Sequence, residues 1–174
     1  MYVAFGGNID LQGGRYGNAV LSRYEIIRSK NHLLPCFDQG EQRGVLLTQV
    51  RIPGIPKLIL LATHLDHRRD PQERNASAVA INDLIRTQGD HPALLAGDMN
   101  DVADSTAMQT LAAEWSVTNS DGLPTIPVGK PTRQIDFILF RPSSDWKVLR
   151  TTVLDEAVAS DHRAILSELE WRLE

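Results

Sequence analysis

The stretch LLAGDMND, residues 94–101, joins a short apolar run to a cluster of carboxylate and amide side chains. The apolar half predicts a buried strand, and Gly97 is expected to let the chain turn sharply where that strand ends. Asp98 and Asn100 follow directly, so a hydrophobic strand delivers two short polar side chains to its own end. An Asx turn alone accounts for a Gly-Asp-x-Asn sequence. The significance of the motif therefore depends on what the rest of the chain places beside it.

Other apolar runs have the length and the flanking glycine, proline and aspartate residues that favour strands over helices. With the central run, Ala93–Ala96, they are Val45–Ile52, Leu58–Thr63, Ile135–Phe140 and Ala164–Leu169. PGIP, residues 53–56, separates the first two of these, and its turn-forming residues predict a β-hairpin. Alternating stretches predict two more strands, Lys147–Leu154 and one that includes Ala19–Ser22.

Two helices are predicted between these strands. The better one covers Pro71–Gln88, with Asp70 as its cap and Glu73 reaching back to the Asp70 amide. Its apolar face is expected to consist of Ala76, Val79, Ala80, Ile81 and Leu84. The second helix runs from Ser105 to Trp115, and its inward residues are expected to be Met108, Leu111 and Ala112. Many strands with two interleaved helices indicate a layered α/β or α+β fold.

Composition narrows the class of protein. The chain has 174 residues, of which 42% are hydrophobic. This length and composition predict a single domain, residues 1–174, with a substantial core. The net charge of -4 gives no sequence-wide basic field for nucleic acid, and one cysteine, Cys36, excludes an internal disulfide framework. The longest apolar run, LILLA at 58–62, is too short for a membrane span. We expect a soluble chain, cytoplasmic if the chain is complete and secreted if an upstream signal peptide was removed.

Polar residues also collect at the ends of other predicted strands. His64 lies in THLDH after LILLA, Asp136 lies within QIDFILF, and Asp161 and His162 lie in SDH before the last strand. Each alone has an ordinary structural explanation, such as a hydrogen-bonded histidine or a turn-capping aspartate. Their joint occurrence, each beside an apolar strand, predicts that they meet Asp98 in one pocket.

The types of residue indicate the chemistry. The chain contains no G-x-S-x-G, P-loop or G-x-G-x-x-G motif, so covalent acyl chemistry and nucleotide cradling have no support. Carboxylates, an amide and two imidazoles suit hydrolysis of a phosphate ester, in which oxygen ligands hold Mg²⁺ or Mn²⁺ and a carboxylate activates water. A histidine with an aspartate partner is held in one tautomer and is more readily protonated, which suits it to face a phosphate.

Six stretches spread over the chain carry recognisable motifs: YGNAVLSRYEI (16–26), ATHLDH (62–67), ERNASAVAINDLI (73–85), LLAGDMND, RQIDFILF (133–140) and ASDHRAIL (159–166). They resemble the motifs of the endonuclease/exonuclease/phosphatase superfamily, which includes pancreatic deoxyribonuclease, exonuclease III and the neutral sphingomyelinases. The resemblance implies a four-layer α/β/β/α sandwich built on two packed, mostly antiparallel sheets. It also implies hydrolysis of phosphoester bonds with the help of a divalent cation.

The resemblance implies a role for each matched position. Asp98 would orient or deprotonate the attacking water, and Asn100 would contact the phosphate or its metal. His162 would stabilise the pentacovalent transition state with Asp136 as its orienting carboxylate. His64 would assist the leaving group or hold the phosphate. The metal ligands would be Asp98, Asn100 and Asp161, and the substrate contacts would be Asn18, Arg43 and Arg74.

The chain departs from the superfamily pattern at its front. The usual strand ending in Asn, the helix and the second strand ending in Gln-Glu do not occur in it, and MYVAFGG resembles the segment that follows them. We therefore expect a sandwich that lacks its first strand-helix-strand and exposes sheet edges. Exposed edges favour self-association, so a homodimer through such an edge is expected.

The leading interpretation is a divalent-metal-dependent phosphoesterase, a nuclease or phosphodiesterase whose substrate is DNA or RNA. An alternative within enzymes is a hydrolase of small phosphodiesters, phospholipid head groups or phosphomonoesters, which the acidic net charge favours mildly. An alternative from another class is a weakly active or inert fragment that binds a partner or dimerises, because the usual glutamate ligand has no counterpart in the chain.

Overall fold

The computed structural model describes residues 1–38, 40–119 and 121–172. Its strands are β1 Tyr2–Leu11, β2 Gly14–Ser22, β3 Glu25–Leu33, β4 Gly44–Arg51, β5 Leu58–His64, β6 Ala93–Asp98, β7 Ser116–Val117, β8 Asp136–Arg141, β9 Trp146–Val153 and β10 Ile165–Trp171. Its α-helices are α1 Gln72–Arg86 and α2 Thr106–Leu111. Each stretch predicted as a strand matches one of these strands to within one residue at the overhanging end, whereas β1, β3 and β7 were not indicated by the apolar runs.

One mixed sheet of six strands, in the order β3-β4-β5-β6-β8-β7, forms the centre of the molecule. The predicted β4–β5 hairpin is confirmed, since these strands pair antiparallel across the Pro-Gly turn. β5 and β6 pair in parallel, and α1 supplies the crossover that a parallel connection requires. The predicted α/β fold class is confirmed.

The two faces of this sheet bury different side chains because neighbours along a strand point in opposite directions. On the helix side, Ile59, Leu61, Leu95 and Leu139 are at most 2% exposed and pack against α1 and α2. On the opposite side, β1 and β2 pack over β3, β4 and β5, while β10 lies against β8. The main core therefore lies between the sheet and the helices, and it fixes the backbone that carries the site.

The second sheet of the predicted sandwich is present as two separate ribbons. Within the described residues, β1 pairs with β2 and β10 pairs with β9, and neither ribbon pairs with the other. β2 lies over β4 and β5 and β10 lies against β8, so the inner edges of β2 and β10 are without a neighbouring strand in this part of the chain. This arrangement is compatible with the predicted sandwich.

The beginning of α1 differs from the predicted capping box. The Asp70 carboxylate does accept the backbone N–H of Gln72, at 3.0 Å. Glu73 does not reach back to Asp70; it is 2% exposed and binds the Arg68 guanidinium and the backbone N–H of Phe37. A buried carboxylate needs such partners to offset its lost hydration, so Glu73 anchors the segment before β4 to the helix.

The buried face of α1 is also rotated from the predicted one. Of the predicted face, Ile81 is buried and Ala80 and Leu84 are partly buried against the core, whereas Val79 is 49% exposed. The other buried positions include Ala78, Asn82 and Ile85. The reason is polar: the Asn82 amide donates to the Thr110 carbonyl at 2.6 Å and accepts the indole N–H of Trp115 at 3.2 Å. Buried polar groups must find such partners, so contact with the second helix overrides the apolar pattern.

The second helix is shorter than predicted. Ser105 caps it by accepting the Met108 backbone N–H at 3.2 Å, and it ends at Leu111. Met108 and Leu111 are buried as expected, whereas Ala112 is exposed. Among the described residues, neither helix has the length and apolar composition needed to cross a membrane.

Candidate active site

Three neighbouring strands bring three predicted site residues into one row. His64, the last residue of β5, is the register partner of Asp98, the last residue of β6. Asp98 is in turn the register partner of Asp136, the first residue of β8. The expected meeting of strand ends therefore occurs, and it follows from the register of the sheet.

Gly97 has a different role from the predicted one. It lies inside β6, with φ at +157°, rather than in the turn. A Cβ at this position would lie 1.9 Å from the carbonyl oxygen of Thr63 on the adjacent strand. Glycine is therefore required because the backbones of β5 and β6 approach closely beside the row of site residues.

The turn after β6 is made by Asn100. Its φ is +49°, a left-handed conformation that asparagine tolerates better than most residues. Its backbone N–H donates to Oδ1 of Asp98 at 2.7 Å, and its side-chain amide donates to the Leu65 carbonyl at 3.0 Å. The Asx turn is thus present, and it orients the Asp98 carboxylate toward the neighbouring histidines.

His162 reaches the row from the loop before β10. Its Nδ1 donates to Oδ2 of Asp136 at 2.9 Å, and the same oxygen accepts the hydroxyl of Thr125 at 2.5 Å. The Arg163 backbone N–H donates to the Thr125 carbonyl at 2.8 Å, which ties the two loops together. Thr125 is fully buried, and sequence reasoning missed it because no periodicity or motif marks its loop.

His64 has a polar side chain beside each of its ring nitrogens. Nε2 lies 3.4 Å from Oδ2 of Asp98, and Nδ1 lies 3.1 Å from the hydroxyl of Tyr16. Burial, followed by the positive charges of Arg43 and His162, lowers the pKa of His64 to about 4. The expectation that an aspartate partner promotes protonation is therefore wrong for this histidine, which is neutral at pH 7.

Tyr16 is a second residue that sequence reasoning missed. It lies two positions before Asn18 on β2, and residues two apart on a strand share a face. That alternation could have placed Tyr16 beside the predicted pocket residue Asn18.

Asp98 carries unfavourable electrostatics in this structure. Burial raises its pKa most, and the negative charge of Asp136 raises it further, while the Asn100 N–H opposes the shift. Oxygen atoms of Asp98 and Asp136 and a ring nitrogen of His162 all lie within 4.8 Å of one another. This set can hold a cation, because a positive ion would offset the repulsion between the two carboxylates.

The predicted metal ligand Asp161 is placed differently from this group. Its side chain is exposed, and its carboxylate accepts the Ser160 hydroxyl at 3.4 Å. Its backbone carbonyl accepts the Val128 N–H at 2.9 Å. Of the predicted metal ligands, Asp98 and Asn100 are in contact with each other. Asp161 is adjacent in sequence to His162, but its side chain is exposed.

Two of the predicted substrate contacts flank His64. Asn18 donates its side-chain amide to the Gly44 carbonyl at 2.8 Å. Arg43 is 4% exposed, with NH1 2.9 Å from Glu41 and NH2 3.2 Å from Nδ1 of His67. Among the described residues, Nε of Arg43 has no hydrogen-bond partner. A buried guanidinium with an unused donor is suited to bind an anion.

Arg74, the third predicted contact, is bound by the protein itself. Its Nε donates to Asp101 at 2.9 Å, and its NH1 donates to the carbonyls of Asp66 and Arg68 at 3.0 and 2.6 Å. These bonds connect α1 to the loops after β5 and β6. In this arrangement Arg74 supports the loop that carries Asp98 and Asn100.

A cavity of about 320 Å³ opens at the row of site residues. Asp98, Asp136 and His162 line its polar part, and Ala96 and Ile138 line its apolar part. A larger apolar cavity of about 480 Å³ lies between α2 and β7 and contains none of the predicted site residues. The smaller cavity is therefore the one that can take a substrate next to the carboxylates.

Known proteins resemble this chain in sequence or in fold. The uncharacterized protein YbhP of Escherichia coli K12 is 29% identical over 174 residues, which cover 95% of this chain and 67% of YbhP. An endonuclease/exonuclease/phosphatase from Bacteroides vulgatus superposes with a TM-score of 0.83 at 21% identity, covering 98% of this chain and 76% of its own.

Two further solved structures carry more specific names. A mannosyl-6-phosphatase from Bacteroides thetaiotaomicron has a TM-score of 0.80 at 19% identity and covers 97% of this chain and 77% of its own. The D. rerio TDP2 protein, complexed with a single strand DNA product, has a TM-score of 0.70 at 20% identity and covers 85% of this chain and 69% of its own. At these levels of sequence identity, the similarity shows a shared fold only.

The family itself is shown by sequence. The sequence profile of the endonuclease/exonuclease/phosphatase family matches residues 2–162. This range contains all six motif stretches except the last residues of the sixth. A match over that much of the chain shows that the protein belongs to the endonuclease/exonuclease/phosphatase family.

Proposed function

We propose that this protein is a divalent-metal-dependent phosphoesterase in which Asp98 directs water at a phosphorus atom. Members of its family are hydrolases that act on phosphoester bonds. The observation that carries the proposal is the row His64–Asp98–Asp136, with His162 against it and a cavity in front of it. The proposal treats the chain as one domain, residues 1–174.

Asp98 is suited to orient the attacking water. Its Oδ1 is occupied by the Asn100 backbone N–H, so Oδ2 is the oxygen that faces the histidines and the cavity. The Asx turn and the register of β6 hold this carboxylate in one orientation. A fixed carboxylate lowers the barrier because it needs no reorganisation during the reaction.

His162 is suited to stabilise the transition state. Its Nδ1–H is bound to Asp136, which leaves Nε2 available for a phosphate oxygen. The Thr125 hydroxyl donates to Oδ2 of Asp136, the oxygen that also accepts from His162, and so holds Asp136 in place. A histidine held in this way presents a preorganised donor to the developing negative charge.

His64 takes a different part from His162. Because its pKa is lowered to about 4, it does not supply an imidazolium at neutral pH. Its Nε2–H is instead a neutral donor shared between Asp98 and the bound phosphate. We keep Asn18, Arg43 and Arg74 as proposed substrate contacts, of which Arg43 has an unused donor.

The donor set fits a hard cation. The carboxylates of Asp98 and Asp136 are the residues that would hold it, with Asn100 and Asp161 as further proposed ligands. When bound, Mg²⁺ or Mn²⁺ supplies Lewis-acid polarisation of the phosphoryl group. The positive charge would also relieve the repulsion that raises the pKa of Asp98.

For the substrate, we propose a phosphodiester of DNA or RNA. The D. rerio TDP2 structure that shares this fold contains a single strand DNA product. A second candidate is a small phosphoester, because the net charge of -4 offers no broad basic footprint and a mannosyl-6-phosphatase shares the fold.

The first test uses bis-p-nitrophenyl phosphate with Mg²⁺ or Mn²⁺. We expect hydrolysis that EDTA abolishes and that Asp98→Ala lowers by at least about 10³-fold, since the carboxylate that orients water is lost. Asp83→Ala is the matched control, because Asp83 lies on the exposed side of α1, and it should keep full activity.

The same assay separates the alternatives. Activity that survives in Asp98→Ala would contradict the proposed role of this carboxylate. A chain that turns over neither this diester, nor a single-stranded oligonucleotide, nor mannose 6-phosphate above the buffer rate would instead be the inert binding fragment. Comparing the oligonucleotide with mannose 6-phosphate decides between the two substrate classes.

A further inference from the structure

The contact between Tyr16 and His64 connects the β1–β2 ribbon to strand β5 of the central sheet. The Tyr16 hydroxyl lies 3.1 Å from Nδ1 of His64, and the two rings meet edge to face with centroids 6.4 Å apart. On the other side of the imidazole, Nε2 lies 3.4 Å from the Asp98 carboxylate. Both ring nitrogens of His64 are therefore engaged by side chains from different elements.

The two partners of His64 impose a direction on its hydrogen bonds. An ionised carboxylate can only accept, so the nitrogen that faces Asp98 must carry the proton. In the neutral ring the other nitrogen is an acceptor, and a phenol hydroxyl is able to donate to it. A Tyr16 O–H that donates to Nδ1, with an Nε2–H that faces the Asp98 carboxylate at 3.4 Å, is therefore the arrangement that suits both neighbours.

We propose that Tyr16 is a positioning residue that fixes His64 as the tautomer with its proton on Nε2, directed at Asp98 and at the phosphate next to it. The inference rests on the proposed phosphoesterase function for its consequence, but its structural content is a hydrogen-bond arrangement. Tyr16 acts through His64 and does not touch the reacting atoms.

The ribbon is built to hold Tyr16 still. At Gly17, the next residue, a Cβ would lie 1.9 Å from the Gly6 carbonyl oxygen, so β1 and β2 approach too closely for any larger side chain. One residue further, Asn18 donates to the Gly44 carbonyl of β4 at 2.8 Å. These contacts hold β2 against β1 within the ribbon and against β4 of the central sheet. They therefore fix the position of the Tyr16 hydroxyl.

The first test reads the tautomer directly and needs no substrate or metal. In protein labelled with ¹⁵N-histidine, long-range proton–nitrogen correlations distinguish Nε2–H from Nδ1–H rings, and the chain has only five histidines. His64→Gln identifies the His64 signals by their loss. We expect the Nε2–H pattern at pH 7.5 in the wild type and a mixture of tautomers in Tyr16→Phe.

Tyr24→Phe is the matched control, because Tyr24 is an exposed tyrosine at the end of the same ribbon. It should leave the His64 pattern unchanged. An Nδ1–H ring in the wild type, or the same Nε2–H pattern in Tyr16→Phe, would overturn the proposal.

The second test asks whether Tyr16 works through His64. With bis-p-nitrophenyl phosphate, Tyr16→Phe should lower kcat about five- to tenfold with little change in KM, since one hydrogen bond to the imidazole is lost. In the His64→Ala background the same substitution should change kcat by less than about twofold. An equal loss in both backgrounds would show that Tyr16 acts on the substrate directly and would contradict the positioning role.

The two proposals fail in different ways. If the wild type hydrolyses no phosphoester, the proposed function fails, and the tautomer measurement still decides the role of Tyr16. If the wild type is active and the tautomer does not respond to Tyr16→Phe, the positioning role alone fails.

Discussion

Asp98 divides its two carboxylate oxygens between the backbone and the histidines. Oδ1 accepts the Asn100 N–H at 2.7 Å, and Oδ2 lies 3.4 Å from His64 and 4.0 Å from His162. The two histidines are not equivalent, because His162 is bound to a second carboxylate, Asp136, and His64 to a neutral phenol, Tyr16. The same side-chain type therefore lies in two different environments, bound to a carboxylate on one side of Asp98 and to a phenol hydroxyl on the other.

The first prediction at this scale concerns acid stability. Burial lowers the pKa of His64 from 6.5 to about 4, so in the unfolded chain this histidine binds a proton at a pH where the native state does not. His64 imposes no penalty on the native state above about pH 6.5, and the penalty grows as the pH falls from about 6.5 toward 4 because the unfolded state binds the proton first. We expect the urea midpoint of the wild type to fall more between pH 7 and pH 5 than that of His64→Gln.

The comparison removes the contributions of other groups, since both proteins share them. Metal-free protein is used so that no bound cation changes the electrostatics near Asp98. Equal losses of urea midpoint in the wild type and in His64→Gln would contradict the lowered pKa of this histidine.

At the scale of elements, the parallel pair β5–β6 is the framework of the site. It places His64 and Asp98 in register, and the sequence pattern identified both strands. The role of Gly97 could not be predicted, because the reason for glycine is a carbonyl oxygen on another strand, 1.9 Å from where a Cβ would lie. Glycine occurs both in turns and where two backbones approach closely, so its presence in the sequence does not distinguish these two cases.

We therefore predict that Gly97→Ala lowers the free energy of unfolding by about 2–4 kcal/mol. The added methyl group meets backbone rather than a movable side chain, so β5 and β6 must separate and the pairing of His64 with Asp98 is disturbed. Thermal unfolding and diesterase activity measure the two effects.

Gly122→Ala is the matched control for this substitution. A Cβ at Gly122 would meet no atom of the described residues within 4 Å, so stability and activity should change little. A fully stable and active Gly97→Ala would contradict the close-approach explanation.

The face of α1 shows the same limit of sequence patterns. Apolar spacing favoured the stripe that contains Val79, whereas the protein buries the stripe that contains Asn82. The decision is made by Thr110 and Trp115, which supply hydrogen-bond partners for the amide. A buried asparagine is stable only with such partners, and these lie on a different element.

At the scale of the whole molecule, both ribbons over the central sheet have free edges. Among the described residues, β1 pairs only with β2 and β10 only with β9, so each of these strands keeps one edge without a neighbouring strand. Along β1, Tyr2, Val3 and Phe5 are 48%, 64% and 51% exposed. Apolar side chains beside unpaired backbone groups are the features that promote edge-to-edge association.

We predict that this chain self-associates through these edges, and the expected species is a homodimer. Sedimentation velocity over a wide concentration range should show a concentration-dependent shift to the dimer. Val3→Lys should weaken the association, because a charge on an edge strand opposes pairing. Arg23→Lys, a change that preserves charge in the bend directly after β2, should have no effect.

The outcome of this measurement is clear in either direction. A strictly monomeric wild type at the highest concentration would contradict edge pairing. A dimer that Val3→Lys leaves intact would place the contact elsewhere.

The sequence by itself determined most of the strands, the β4–β5 hairpin, the α/β class and the family. Apolar runs bounded by glycine, proline and aspartate are local signals, and they identify a buried strand because its burial depends on its own residues. The five predicted catalytic residues, His64, Asp98, Asn100, Asp136 and His162, share one feature: each follows, begins or precedes such a run. Their roles in the reaction remain proposals.

Only the tertiary structure decided which groups support these residues and how. Tyr16 meets His64 across 48 positions of sequence, and Thr125 meets Asp136 across 11. The neutral state of His64 likewise depends on burial and on charges from other loops. Such effects depend on distance in space, and a sequence pattern carries no information on distances between elements until the strands have been placed in register.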